Sequence, residues 1–64
     1  MATGKVKFFD SRKGFGFIIQ DDGGKDVYVN AKDVDSGTLA DGDAVSYDVN
    51  TTERGPRAVN VKKV

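Results

Sequence analysis

The stretch FGFIIQ, Phe15–Gln20, decides the fold class because its side chains alternate as those of a β-strand do. Successive side chains of a strand point to opposite faces of the sheet, so Phe15 and Phe17 share one face while Ile18 lies on the other. Elsewhere in the chain Val is far more frequent than Leu, and β-branched side chains suit a pleated sheet better than a helix. The sequence therefore predicts an all-β protein.

Four further segments on either side of this strand are rich in Val, Ile, Phe and Tyr, and they predict strands of their own. Every connection contains Gly or Pro, including Asn50–Pro56 before the last strand, as expected for chain reversals. The longest connection, residues 31–43, has room for one helical turn capped by Asn30, and no full helix fits anywhere. The five predicted strands are Lys5–Asp10, Phe15–Gln20, Asp26–Asn30, Ala44–Val49 and Arg57–Val61.

Alternation also predicts the core of the protein. Val27 and Val29 share one face of the third strand, and Val45, Tyr47 and Val49 align in the fourth, so we expect the valines to fill the interior. Five strands in 64 residues would leave exposed edges if the sheet stayed flat. We therefore expect a closed barrel, which fits either the oligonucleotide-binding (OB) architecture or an SH3-like barrel.

The first predicted strand breaks the alternation. Val6 and Phe8 have the same parity and Phe9 has the opposite one, which predicts a β-bulge or a sharp bend within this strand. Parity alone leaves open which of Phe8 and Phe9 is buried.

Composition excludes several classes of function. The chain contains no Cys and no His, which excludes disulfides, thiolate or imidazole nucleophiles and most zinc sites. We expect no enzymatic activity, no catalytic residues, no metal and no cofactor. No apolar run approaches the roughly 18 residues of a membrane span, and the chain opens with alternating charge instead of a signal peptide. We expect a cytoplasmic monomer with no membrane partner and no small-molecule substrate.

The formal net charge of zero hides an uneven distribution of charge along the chain. Basic residues dominate residues 1–20 and 51–64, whereas residues 21–50 contain most of the aspartates. If the two ends of the chain meet in space, one face of the barrel is basic. The alternative is an ordinary solvated surface on which these charges are scattered.

The segment Lys13–Ile18, KGFGFI, matches the first ribonucleoprotein motif, K/R-G-F/Y-G/A-F-V, with Ile in place of the final Val. Its glycines leave the backbone bare beside two rings, so bases can stack on Phe15 and Phe17 while Lys13 reaches a phosphate. Tyr28 on the next strand extends this surface. The alternative is that both phenylalanines belong to the core. Apolar side chains of the opposite face already fill a small interior, which favours stacking at the surface.

The full RNA recognition motif fold needs two amphipathic helices, so this hexapeptide must lie on another scaffold. The chain resembles the cold-shock domain family along nearly its whole length. Gly4–Asp10 resembles the family's opening G-x-V-K-W-F-N, and Lys13–Ile18 matches its K-G-F-G-F-I. Asp26–Asn30 resembles the motif D-V-F-V-H. Leu39–Gly42 resembles its L-x-x-G turn, and Gly55–Val61 resembles its closing G-P-Q-A-x-N-V.

The resemblance implies a five-stranded antiparallel Greek-key barrel of the OB type, with residues 1–64 as a single cold-shock domain. It also implies a protein that binds single-stranded RNA and DNA and acts as an RNA chaperone in cold or general stress responses. Carried over position by position, the family's binding surface has rings that stack bases, cations that meet phosphates or stack, and polar groups, of which Asp10 can accept from a base edge. These residues are Phe8, Phe15, Phe17 and Tyr28, then Lys7, Lys13 and Arg57, then Asp10 and Asn30.

The chain also departs from the family's pattern. Phe8 replaces the usual Trp, Asp10 an Asn, Asn30 a His and Ala31 a Phe, while the loop Asp35–Thr38 is short and lacks the usual Phe. At least two stacking rings are missing. Because stacking contributes on the order of 1 to 3 kcal/mol per base, we expect binding to be weakened by roughly one to three decades, to about micromolar affinity. The Asp10 carboxylate adds repulsion towards phosphate.

Two other readings stay open at this point. An SH3-like interaction barrel would receive a proline-rich or other peptide on its aromatic patch. Among nucleic-acid-binding barrels, the alternative is a translation initiation factor of the ribosomal S1-like type, against which the hexapeptide argues. The hexapeptide, flanked by Lys7 and Lys13, favours single-stranded nucleic acid over a peptide.

Overall fold

The computed structural model describes residues 2–24 and 26–64. Within these ranges the chain forms five strands and one short 3-10 helix, η1, which spans Ala31–Asp33 between the third and fourth strands. The strands are β1 (Ala2–Asp10), β2 (Phe15–Gln20), β3 (Val27–Asn30), β4 (Ala44–Thr52) and β5 (Gly55–Lys63).

The strands close into a barrel in the order β1-β2-β3-β5-β4, which confirms the predicted all-β barrel of the OB type. All neighbouring strands pair in antiparallel fashion except β3 and β5, which are parallel. In this parallel pairing Tyr28 lies opposite Arg57 and Val29 lies opposite Ala58. The chain therefore crosses over between β3 and β4 to close the barrel, and η1 begins this crossover. Among the described residues, none belongs to a helix with the length and apolarity to cross a membrane.

The interior is filled by side chains from the inner faces of the strands. Val27, Val29 and Val45 are fully buried, as the alternation predicts, and Tyr47 is buried beside them. Two core residues, Val34 and Leu39, come from the long connection between β3 and β4. The core consists of Val6, Ile18, Val27, Val29, Val34, Leu39, Val45, Tyr47, Ala58 and Val61.

The prediction that Val49 belongs to this core is wrong, because its side chain is 44% exposed. The pairing of β4 with β1 reaches only as far as Tyr47, which lies opposite Ala2. Beyond Tyr47, β4 has β5 as its one strand neighbour among the described residues. Val49 therefore lies on a part of β4 that β1 no longer flanks, so its inner face stays open to solvent although β5 still pairs with β3 at this level.

The prediction of a loop over Asn50–Pro56 is also wrong. β4 and β5 remain paired up to Thr52, which lies opposite Gly55, so only two residues form the turn. The Thr52 hydroxyl donates to the Gly55 carbonyl oxygen at 2.8 Å and accepts from the Arg54 backbone N–H at 3.3 Å. Gly55 has a φ of 113°, a backbone conformation that residues other than glycine rarely adopt. The hairpin is therefore long, and its tip is fixed by its own hydrogen bonds.

The bulge predicted in the first strand is confirmed. The register shifts between Val6, opposite Ile18, and Phe8, opposite Phe17, so β1 contains one extra residue at this point. Val6 is consequently buried, Phe8 points outward with 38% of its surface exposed, and Phe9 packs against the core. The bulge answers the question that parity left open about these two phenylalanines.

Candidate nucleic-acid interface

Four aromatic side chains form a continuous outer surface over β1, β2 and β3, which we call the aromatic platform. None of them belongs to the buried core. The ring centroids of Phe8 and Phe17 are 5.6 Å apart and those of Phe17 and Tyr28 are 5.9 Å apart. Phe15 contacts Phe8 at 6.3 Å and Tyr28 at 6.1 Å, so the four rings close a circuit. The platform comprises Phe8, Phe15, Phe17 and Tyr28.

The strand register places part of this platform in one transverse row. Phe8 lies opposite Phe17, Phe17 lies opposite Tyr28, and Tyr28 lies opposite Arg57. These four residues come from β1, β2, β3 and β5 in turn, so the row crosses four neighbouring strands of the barrel. Three flat rings and one flat guanidinium therefore follow one another across the surface.

Gly16 keeps β1 and β2 close enough for this arrangement. A Cβ atom at Gly16 would overlap the Phe8 carbonyl oxygen and would lie 2.8 Å from the Phe9 Cα atom. Any larger residue would have to displace the β1 backbone at the bulge. The glycine that leaves the backbone bare between Phe15 and Phe17 is therefore also required for packing.

The turn between β1 and β2 is held by Asp10. Its Oδ1 atom accepts hydrogen bonds from the backbone N–H groups of Arg12, at 3.0 Å, and of Lys13, at 3.2 Å. The Gly14 backbone N–H donates to the Asp10 carbonyl oxygen at 2.7 Å, and Gly14 has a φ of 76°. The Asp10 carboxylate thus fixes the backbone that carries Lys13, and within residues 2–24 and 26–64 its Oδ2 atom has no hydrogen-bond donor.

Asn30 joins the platform to η1. Its Oδ1 atom accepts from the Lys32 backbone N–H at 3.0 Å, which confirms the predicted cap. Its Nδ2 group donates to the Tyr28 hydroxyl at 3.4 Å. Asn30 also lies opposite Phe15 in the pairing of β2 with β3. Asn30 therefore lies beside Phe15 and Tyr28 of the platform and forms a hydrogen bond with Tyr28.

Arg57 is held by a residue of η1. Its Nε and Nη2 atoms donate to the same carboxylate oxygen of Asp33, at 3.0 and 2.6 Å. The Asp33 side chain is more buried than that of Arg57, with 20% of its surface exposed against 39%. Because η1 is capped by Asn30, the ion pair ties β5 to the end of β3. The charge of Arg57 is partly neutralised before any ligand arrives.

The two lysines expected at the interface differ in their surroundings. Lys7 forms an ion pair with Asp26 at 3.0 Å, and both side chains are well exposed. Exposed ion pairs of this kind contribute little to stability. Lys13 has no ion-pair partner within residues 2–24 and 26–64. Of the three predicted cations, only Lys13 carries a charge that no described carboxylate opposes at close range.

A groove of about 690 Å³ lies between the platform and the tip of the β4–β5 hairpin. One wall comes from predicted site residues, including Phe17, Tyr28 and Arg57. The other wall is Thr52–Pro56, which sequence reasoning treated as part of a loop. Two further candidates there, Arg54 and Pro56, were missed, because only the register of the long hairpin brings them beside the rings.

The structure thus brings six of the nine predicted site residues into one continuous surface, while three lie at its border. Phe9 is not part of it, since it packs against the core. The contiguous residues are Phe8, Phe15, Phe17, Tyr28, Asn30 and Arg57, and the border residues are Lys7, Asp10 and Lys13.

Comparisons with known proteins identify the family of the chain. The sequence profile of the 'Cold-shock' DNA-binding domain matches residues 2–64. Cold shock protein ScoF of Streptomyces coelicolor is 44% identical over 64 residues, covering 95% of this chain and 96% of that protein. Cold shock-like protein CspA of Vibrio cholerae is 50% identical over 62 residues, covering 92% of this chain and 89% of that protein.

The solved structure of Drosophila Unr CSD456 superposes with a TM-score of 0.79 at 22% identity. It covers 98% of this chain, which in turn spans 26% of that longer chain. This likeness supports the barrel fold, while the family profile and the two cold shock proteins extend over nearly all of the sequence. The chain belongs to the cold-shock domain family of nucleic-acid-binding proteins.

Proposed function

We propose that this protein binds single-stranded RNA and DNA by stacking bases on the aromatic platform, and that it acts as an RNA chaperone in cold or general stress responses. The observation that supports this most directly is the circuit of four contacting rings on the outer surface of the barrel. Bases present a flat π-face whatever their identity, so such a surface tolerates many sequences. In a duplex those faces are already stacked, which favours single strands.

The same residues support a division of roles. The four rings take bases, and Lys13 meets the phosphate backbone from the turn that Asp10 holds. Lys7 and Arg57 contribute less charge than their number suggests, because Asp26 and Asp33 oppose them at 3.0 and 2.6 Å. Asp10 and Asn30 accept or donate at base edges. We therefore expect stacking to dominate the binding free energy and electrostatics to be secondary.

Weak binding fits a chaperone that must release its RNA. With the platform lacking rings at Ala31 and in the loop Asp35–Thr38, we expect a Kd of about micromolar. A protein of this affinity holds transiently open strands and exchanges between them without hydrolysing a nucleotide. In this proposal residues 1–64 form one cold-shock domain that works as a cytoplasmic monomer, without a cofactor and without enzymatic activity.

The first test is fluorescence anisotropy of labelled oligo-thymidine and oligo-uridine, each titrated with protein at two salt concentrations, beside the matching duplex. We expect saturable binding to the single strands and none to the duplex. Three phosphate contacts at about −0.7 each would give a salt slope of roughly −2, and we expect a shallower slope because Asp26 and Asp33 already oppose Lys7 and Arg57. Absence of binding up to hundreds of micromolar would refute the proposal and direct attention to protein partners, and subnanomolar binding would refute the weakened platform.

The chaperone role needs its own measurement. An RNA hairpin with a fluorophore and a quencher at its ends should open in the presence of the protein without any nucleoside triphosphate. A hairpin whose loop is too short to expose three bases serves as the control substrate. If the protein binds single strands but changes neither the rate nor the extent of hairpin opening, the binding role is retained and the chaperone role is excluded.

A further inference from the structure

The Arg57–Asp33 ion pair lies at the end of the transverse row and beside the groove of about 690 Å³. An arginine that served only as a phosphate cation would be expected to keep its charge free. Here Nε and Nη2 are both committed to Asp33, which fixes the plane of the guanidinium and offsets its charge. The pair therefore suits recognition by shape and hydrogen bonding more than recognition by charge.

The donors left over on Arg57 define a specific chemistry. A guanidinium carries five N–H groups, and a side-on contact through Nε and Nη2 leaves donors on Nη1 and one on Nη2. Within the described part of the chain, Nη1 has no hydrogen-bond acceptor. Two parallel N–H groups at the end of an arginine match the O6 and N7 acceptors of guanine, whereas adenine presents a donor in place of O6.

The neighbours of Arg57 are consistent with a base in this position. Tyr28 lies directly opposite it across the β3–β5 pairing, and both residues line the groove together with Phe17. The groove is large enough for a purine, and its walls combine ring faces with polar groups, as small-molecule sites generally do. Asp33 itself lies outside the groove lining, so it acts on a bound base through Arg57.

We propose that Arg57 reads one guanine base in the groove at the end of the row, and that Asp33 is the positioning residue that orients its guanidinium for this contact. The proposal rests on the proposed function, since it adds a sequence preference at one position to a surface that otherwise stacks any base. A bidentate arginine–guanine contact typically discriminates against the wrong base by roughly fivefold to a hundredfold.

The experiment compares labelled oligo-thymidines that carry one guanine, inosine, 7-deazaguanine or adenine, with the substituted position moved along the strand. We expect one position at which guanine and inosine bind about tenfold more tightly than adenine, because both offer O6 and N7. 7-Deazaguanine lacks the N7 acceptor and should lose most of this gain. Equal affinity for all four bases at every position would overturn the proposal while leaving the proposed function intact, and failure to bind any single strand would end both.

The variants separate base reading from charge. Arg57→Lys keeps the charge and loses the planar fork, so most of the preference for guanine should be lost while the salt slope changes little. Asp33→Asn frees the guanidinium, so the preference should fall and the salt slope should become steeper by about 0.7 as Arg57 meets a phosphate instead. Retention of the guanine preference in Asp33→Asn would overturn the positioning role, and retention in Arg57→Lys would overturn the reading role.

Arg54→Gln is the matched comparison, because Arg54 lines the same groove from the exposed turn and has no carboxylate partner among the described residues. It should weaken binding to all sequences alike and leave the preference for guanine unchanged. Suppose instead that the preference is lost in Arg54→Gln and survives in Arg57→Lys. The guanine contact would then belong to Arg54, and the proposal would be overturned. Unchanged circular dichroism and melting temperature confirm that each variant remains folded.

Discussion

Phe8 and Phe17 lie directly opposite each other across the β1–β2 pairing, with ring centroids 5.6 Å apart, at the first register position after the bulge in β1. Without the extra residue of the bulge, Phe8 would share the inner face with Val6. A single inserted residue therefore moves one ring from the core to the outer surface and completes the platform. The burial of Val6, the packing of Phe9 and the exposure of Phe8 all depend on the same irregularity.

Replacing Phe8 with Trp should strengthen binding, because the larger ring offers more stacking area to a base. We expect a gain of about threefold to tenfold in affinity for oligo-thymidine. The chain contains no other Trp, so the emission of the new indole can be followed directly and should be quenched on binding.

Val64→Trp is the control for this variant. Val64 follows β5, with 83% of its surface exposed, and it takes no part in the ring contacts. Its emission and its affinity should be unaffected by the nucleic acid. Quenching of equal size in both variants would argue against binding at the platform.

Removing two rings tests the platform itself. The double variant Phe15→Ala/Phe17→Ala should lose most binding to single strands, since stacking contributes on the order of 1 to 3 kcal/mol per base. The fold should survive, because both rings lie outside the buried core. Anisotropy measures the first effect and thermal unfolding the second.

Ile18→Ala provides the opposite case on the same strand, because Ile18 is fully buried. It should lower the free energy of unfolding by about 2 to 5 kcal/mol and leave the affinity of the remaining folded protein unchanged. Global unfolding of the double variant would show instead that its two rings support the interior.

We expect Asp10 to affect binding in two separable ways. Asp10→Asn keeps an oxygen that accepts from the Arg12 and Lys13 backbone and removes a negative charge from the border of the platform. We expect tighter binding to single strands, by about twofold to fivefold at low salt. Asp10→Ala removes both the charge and the acceptor, so the turn loosens and the gain should disappear. Identical affinities for the two variants would mean that the turn does not position Lys13.

Gly16→Ala should destabilise the protein and weaken binding together. The added Cβ would overlap the Phe8 carbonyl oxygen and approach the Phe9 Cα atom, so the β1 backbone must move at the bulge. We expect a loss of about 1 to 3 kcal/mol in the free energy of unfolding, as for other overpacked sites, with a lower affinity measured on the folded fraction.

Gly23→Ala separates backbone strain from this steric conflict. Gly23 has a φ of 82°, but a Cβ there meets nothing within 4 Å. It should cost stability through its backbone conformation alone and leave binding unchanged. A parallel loss of affinity in Gly23→Ala would show that destabilisation, and not the placement of Phe8, explains the effect of Gly16→Ala.

Tyr47 gives the protein a pH dependence in the alkaline range. Burial raises the pKa of its phenol above the ordinary value of 10.0, and the charges of Asp22 and Asp21 raise it further. The neutral phenol is therefore favoured in the folded state, so its contribution to stability is complete below pH 10 and is lost as the pH rises through the folded-state pKa.

Chemical denaturation between pH 8 and 11 measures this loss, which Tyr47→Phe should reduce. The phenol donates only a long hydrogen bond of 3.5 Å to the Thr3 carbonyl oxygen, so the variant should remain folded at neutral pH. An unchanged pH profile in Tyr47→Phe would assign the alkaline loss to other groups.

Local features of the fold could be predicted from the sequence, whereas features set by distant pairing could not. The bulge follows from the parity of Val6, Phe8 and Phe9, which is visible within four residues. The exposure of Val49 depends on where β1 stops accompanying β4, and no pattern within β4 carries that information.

In the candidate site, too, local features could be predicted and contacts between distant residues could not. The aromatic residues could be named from the hexapeptide and its resemblance to a family, because their faces follow from alternation. Asp33 and Arg57 are 24 residues apart, and only the parallel pairing of β3 with β5 brings them together. Sequence reasoning placed Arg57 at the surface but had no means of finding its partner.

The transverse row from Phe8 to Arg57 joins β1 to β5 by way of β2 and β3 across the outer surface of the barrel. A ligand that lies along this row contacts parts of the chain that separate completely when the protein unfolds, so its binding free energy adds to global stability and not to that of one loop. Amide hydrogens throughout the barrel should therefore exchange more slowly in the bound protein. In a cell, the resistance of this small protein to proteolysis would then rise and fall with the supply of unpaired nucleic acid.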